Sequence, residues 1–159
     1  MRVPVPADSA GAGTTRLSPP DGFTRHARSS PFLDLIGPLY SRGAGASMQL
    51  ALLADRRHAN GSGFVHGGIL ATLADLALGY AMASTEDPPL ALTTASLTID
   101  FAGRAAPGDL LTTTVDIQRI GTRMAFANCY LHVAERRIAR ASGIYASGRA
   151  ARSGGRAPG

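Results

Sequence analysis

The sequence predicts an α+β domain in which an antiparallel sheet wraps around one long central helix. Three features carry this expectation. One segment has helical periodicity over about three turns, the segments after it alternate apolar and polar residues, and the loops between those segments are short. Residues 1–24 are rich in Pro, Gly, Ser and Thr and are expected to form a flexible N-terminal segment. The domain is expected over 25–148, followed by a disordered tail at 149–159, "RAARSGGRAPG".

Taken in order, "SSPFLDLIG" offers Ser30 as a cap and Pro31 as a first helical residue, with Gly37-Pro38 as the stop. "GASMQLALLAD" reads as a strand and "RRHANGSG" as a polar turn, with Arg57 and His58 in solvent. The long helix follows His66. Ile69, Leu70, Leu73, Leu76, Ala77 and Tyr80 recur on one face, and the helix should end near Ser84, before Pro88-Pro89. In "TTASLTIDF" the period changes to two: Thr94, Ser96, Thr98 and Asp100 share one face, and Ala95, Leu97, Ile99 and Phe101 the other. "GDLLTTTVDIQRI", "TRMAFANCYLHV" and "RRIARASGIYASG" continue the alternation. The short separators "GRAAPGD", "RIGT" and "AERR" predict a meander, for four or five strands in all.

Composition narrows the function. At 159 residues the chain is one domain's worth, and its 45% hydrophobic and 17% charged residues are ordinary for a globular protein. The net charge of +5 rests on 16 arginines, with no lysine. Arg149, Arg152 and Arg156 lie in the tail, and no basic stripe interleaves with aromatics, so nucleic acid is not the expected partner. The single cysteine, Cys129, excludes an internal disulfide and a cysteine-rich metal site. No secretory signal or membrane span is read, so the expected setting is cytoplasmic. His26, His58 and His132 show no ligand spacing with His66, and neither metal nor cofactor is expected.

The chemistry-bearing stretch is "GSGFVHGGILATLADLALGY", residues 61–80. A helix that opens on His-Gly-Gly leaves backbone N–H groups unpaired at its positive end, and glycine lets a substrate oxygen approach them. That suits a carbonyl turning into an oxyanion. Asp75 lies nine residues beyond His66, a rotation of about 900° and a rise of about 13.5 Å. One copy of the helix therefore cannot bring both to one small substrate. A second copy, antiparallel across a twofold axis, can. Ala71, Thr72 and Gly79, small neighbours of Asp75 alongside Leu78, leave room for it.

"NGSGFVHGGILATLADLALGYAM" followed by "LTTASLTIDFAGRAAPGDLL" resembles the hotdog-fold thioesterases of the phenylacetate-degradation (PaaI-like) type, over roughly residues 30–147. The resemblance implies hydrolysis of an acyl-CoA, medium-chain or aryl, in a homodimer or a dimer of dimers. It implies that Asp75 is the nucleophile or the general base, and that the Gly67 amide, with Gly68 beside it, polarises the carbonyl. Asn60 and His66 would orient the thioester. Thr94, or Thr93 with one residue of slippage, would hold the attacking water. Arg104, Arg119 and Arg123 are candidates for the CoA phosphates. Tyr80 and Met82 are expected to set the depth of the acyl pocket. The family's usual Arg-Pro-Ala is Arg-Ala-Ala here, which loosens the turn at Arg104. Two rivals share the fold: an acyl-CoA hydratase, whose His-Phe-Pro-Gly type of segment is missing, and a non-catalytic acyl-thioester binding module, against which Asp75 argues.

Overall fold

The computed structural model describes residues 20–148. Its strands are β1 (Thr24–Arg25), β2 (Leu39–Arg42), β3 (Gln49–Leu53), β4 (Leu92–Phe101), β5 (Leu110–Ile120), β6 (Met124–Val133) and β7 (Arg136–Ser147). Two α-helices join them, α1 (Pro31–Ile36) and α2 (Gly67–Ala83). All strands pair antiparallel in one sheet of order β1-β2-β3-β5-β6-β7-β4, and α2 packs against β3 to β7. This is the hotdog architecture, with seven strands rather than four or five. The added strands, β1 and β2, are too short to show a period. Phe23, within the expected flexible segment, is buried beside Tyr40 and Ala51.

The expected meander holds from β5 to β7 and fails at β4, which pairs with β7 at the far edge of the sheet. The β4–β5 link instead crosses α2's N-terminal end, where Val65 N–H donates to the Ala105 carbonyl at 2.8 Å. The Arg-Ala-Ala turn is therefore not loose. Ala105 is buried, and Asp109 Oδ2 accepts the Ala106 N–H at 2.8 Å.

Helix α2 begins where expected and ends at Ala83, with Ser84 as C-cap. Its buried face is Leu70, Leu73, Ala74, Ala77, Leu78 and Ala81, rotated from the predicted one, while Ile69, Leu76 and Tyr80 are half-buried. The helix is apolar nearly all round, so periodicity alone could not choose the side. The alanine-rich side wins because small side chains let the helix settle close on the sheet. Met82, expected to set the depth of a pocket, is fully buried in this core and lines none of the clefts at Gly67, His66 or Asp75.

Helix α1 starts as read, with Ser30 Oγ accepting from Leu33 N–H. Its end depends on two residues expected in solvent. His58 is 2% exposed; its Nδ1 accepts the Asp55 N–H at 2.9 Å and its Nε2 donates to the Ile36 carbonyl at 2.8 Å. Those partners require the neutral ring with the proton on Nε2. Arg57 is exposed but donates to the carbonyls of Leu35 and Gly37, satisfying the helix's last acceptors. His58→Ala strands one buried donor and one buried acceptor and opens a void. The expected loss is about 2–4 kcal/mol, read as a lower urea midpoint with unchanged slope.

Candidate active site

His66 caps α2: its Nδ1 accepts the Gly68 N–H at 2.8 Å. The sequence reading leaves the Gly68 amide free beside that of Gly67; here it is engaged by the His66 ring. The Gly67 N–H has no acceptor among the described residues. It borders a cleft of about 350 Å³, together with Asn60, Phe64, Leu70, Phe101 and Arg104. The Phe101 ring lies over Gly67, where a Cβ would meet its Cζ at 3.2 Å. Asn60 shapes the loop before the helix: its Oδ1 accepts from the N–H groups of Ser62 and Phe64. Arg104 stacks its guanidinium 4.9 Å from the Phe64 ring. His66 itself turns to the other side of the helix start, toward Phe32, Ile69 and Thr72.

Asp75 lies elsewhere, half-buried on α2 beside a second cleft of about 280 Å³. Its Oδ1 accepts two hydroxyl hydrogen bonds, from Thr94 at 2.8 Å and from Tyr145 at 2.7 Å. Oδ2 has no donor among the described residues. A bulge makes this possible. The β4–β7 register shifts between Thr94 and Ser96, so parity flips and Thr94 turns to the helix side, which Leu97 also faces. Strict alternation had put Thr94 opposite Leu97. Thr93 pairs with Ala146 and makes no such bond, so Thr94 is the hydroxyl at Asp75.

Tyr145 was not singled out from sequence. Its ring reaches the helix because Gly143 and Gly79 are small: a Cβ on Gly143 would come within 2.7 Å of the ring. The signal present was a tyrosine on the inward face of "SGIYASG", two residues after a glycine. Burial, and then the bond to Asp75, push the phenol far above its ordinary range. Its folded pKa thus exceeds its unfolded value of about 10. The stability it contributes is full below pH ~10 and is lost as pH rises from there toward the folded value. Tyr145→Phe should remove about 1 kcal/mol of the alkaline loss of stability in urea unfolding between pH 10 and 11. The Cys129 thiol, pushed up to about 12 by burial, contributes to both proteins alike.

The expected residues are thus spread out within one chain: Asn60, Gly67 and Arg104 at one cleft, Asp75 and Thr94 at another, and His66 with Gly68 on the far side of the helix start. Arg119 and Arg123 line none of these. They flank the β5–β6 turn, where the Arg123 carbonyl accepts from Ser147 N–H, at the Asp75 end of the sheet. No group of three or more His, Cys, Asp or Glu gathers as a metal site among the described residues. Nor is any described helix long and apolar enough to cross a membrane.

Residues 62–139 match the model of the Thioesterase superfamily. A Pseudomonas aeruginosa protein named "Putative esterase PA0474" is 45% identical over 130 residues, covering 81% of this chain and 97% of that protein. The chain belongs to the thioesterase superfamily. The fold of this thioesterase-superfamily protein is shared with the E. coli PaaI protein from the phenylacetic acid degradation operon: TM-score 0.67, 23% identity, 74% of this chain and 84% of that one. It is shared too with a hypothetical thioesterase of Streptococcus pneumoniae TIGR4 solved with coenzyme A: TM-score 0.64, 18% identity, 70% and 89% covered.

Proposed function

We propose that this thioesterase hydrolyses an acyl-CoA, medium-chain or aryl, at a site shared between two copies of the chain. The observation that carries the reading is the state of Asp75. Two hydroxyls fix Oδ1, and Oδ2 is left toward a cleft, as a base or nucleophile requires. The Gly67 N–H, at the positive end of α2, is the complementary donor for a developing oxyanion. The two clefts belong to opposite stretches of one helix, so a partner copy supplies the missing half of each site. CoA enters because the S. pneumoniae relative was solved with it.

As base, Asp75 takes a proton from water held beside Thr94. The hydroxide oxygen bonds to the thioester carbon, and the carbonyl oxygen gains charge against the Gly67 amide. Collapse breaks the C–S bond, and the CoA thiolate leaves with the proton Asp75 accepted. As nucleophile, Oδ2 itself bonds to the carbonyl carbon and the C–S bond breaks, expelling the CoA thiolate. Water then attacks the anhydride, releasing the acid, restoring the Asp75 carboxylate and giving up the proton the thiolate takes. Thiolate leaves readily, so neither route calls for a metal. Asn60, which borders the Gly67 cleft, orients the thioester. His66, turned away from that cleft, acts by holding the helix start through the Gly68 N–H, and Arg104, at the same cleft as Asn60, is the candidate for a CoA phosphate.

The test is thiol release followed with a thiol-reactive dye over a panel of acyl-CoAs. Turnover of at least one medium-chain or aryl thioester is expected; no release from any of them overturns the proposal.

A further inference from the structure

The cleft beside Asp75 has a second charged wall. Arg28 is the one basic side chain lining it among the described residues. Its guanidinium sits 5.1 Å from the centre of the Tyr80 ring, and no carboxylate among the described residues pairs with it. Arg28 is itself exposed, and the chain just before it is what is held. The preceding strand is held to β2, where His26 N–H donates to the Leu39 carbonyl at 2.9 Å. His26 Nδ1 meets Ser41 Oγ at 3.0 Å, and its ring stacks on Tyr80 at 4.8 Å. The same cleft has apolar walls from Leu76, Leu90, Leu92 and the Tyr80 ring. One cleft is therefore lined by a reacting carboxylate, by apolar side chains and by a cation that no carboxylate among the described residues pairs.

We infer that Arg28 reads the far end of the acyl group, so that thioesters whose acyl chain ends in a carboxylate are preferred. This rests on the proposed hydrolysis at Asp75, because that reading places the thioester carbon beside Asp75. Arg28 meets Tyr80, which follows Asp75 by five residues, a rise of about 7.5 Å along the axis, so a six-carbon acyl chain is the length to test first. A guanidinium pairs with a carboxylate through two parallel hydrogen bonds, and a methyl terminus offers it nothing. The same guanidinium could instead meet a phosphate of CoA, and the substrates below separate the two sources.

Adipyl-CoA and hexanoyl-CoA share their CoA and nearly share their length, so their ratio reports the terminal carboxylate alone. The wild type should hydrolyse adipyl-CoA with a kcat/KM about tenfold or more above hexanoyl-CoA. Arg28→Gln should lose about ten- to hundredfold on adipyl-CoA, chiefly in KM, and change less than about twofold on hexanoyl-CoA; Arg28→Lys should recover part of the loss. An equal fall on both substrates would place Arg28 at the CoA phosphates or in the fold and overturn the inference, as would no change on either. Calorimetric binding of the two thioesters to Asp75→Asn, with and without Arg28→Gln, reads the same preference without turnover. Arg28-dependent tighter binding of adipyl-CoA supports the acyl-end site even if the wild type hydrolyses neither, which would sink only the reaction. Equal binding of both thioesters overturns the site.

Discussion

Asp75→Asn should lower kcat/KM for the best acyl-CoA by about 10²–10⁴-fold while leaving the fold intact, since a positioned base contributes that much. The amide keeps an oxygen that can accept from Thr94 and Tyr145, whose hydroxyls now hold Oδ1 at 2.8 and 2.7 Å. What is lost is the anionic second oxygen, and with it both the basicity and the nucleophilicity. The loss should fall on kcat rather than KM, because the carboxylate acts on the reacting atoms and not on the CoA moiety. The thermal midpoint should stay close to that of the wild type. A variant that hydrolyses as fast as the wild type would remove Asp75 from the chemistry and leave it a hydrogen-bonding post between helix and sheet.

Gly67→Pro should cost about 10²–10³-fold, the usual effect of deleting one oxyanion donor. The substitution is chosen for its narrowness. Gly67 is the first residue of α2, where proline is favoured because the N–H has no intrahelical partner. His66, before it, has φ −64° and ψ 136°, the extended conformation that a following proline demands. The helix should therefore persist with one amide hydrogen gone. The ring also meets Phe101, a residue that is 53% exposed. Gly67→Ala is the control: it adds the same Cβ beneath Phe101 and keeps the N–H, and should cost less than about fivefold. Equal losses in both variants would show that bulk, not the donor, matters.

Much of this was legible in the sequence, and the exceptions share a cause. Helix α2 and strands β5 to β7 are long enough for a period to declare itself, and their turns follow directly. Periodicity carries no information about which distant strand becomes a neighbour, so the pairing of β4 with β7 was not legible. The bulge at Ala95 reversed the face assigned to Thr94, and its signal is conformational rather than compositional. His-Gly-Gly read as two free amides because the spacing does not reveal that His66 Nδ1 takes one of them. Buried His58 and inward Tyr145 were missed likewise: each side chain finds its partner 22 or 70 residues away. Local chemistry named the reactive types, and long-range packing decided which atoms remained available.

Whether two chains build one site is open to a direct measurement. Asp75→Asn and Gly67→Pro chains carrying different tags are co-expressed, and the hybrid dimer is purified through both tags. Each parent is inactive, but in the hybrid one site combines a native Gly67 amide with a native Asp75 from the other chain, and should restore about half the wild-type rate per dimer. A hybrid no more active than the two parents would mean that amide and carboxylate serve the same chain, contradicting the shared site.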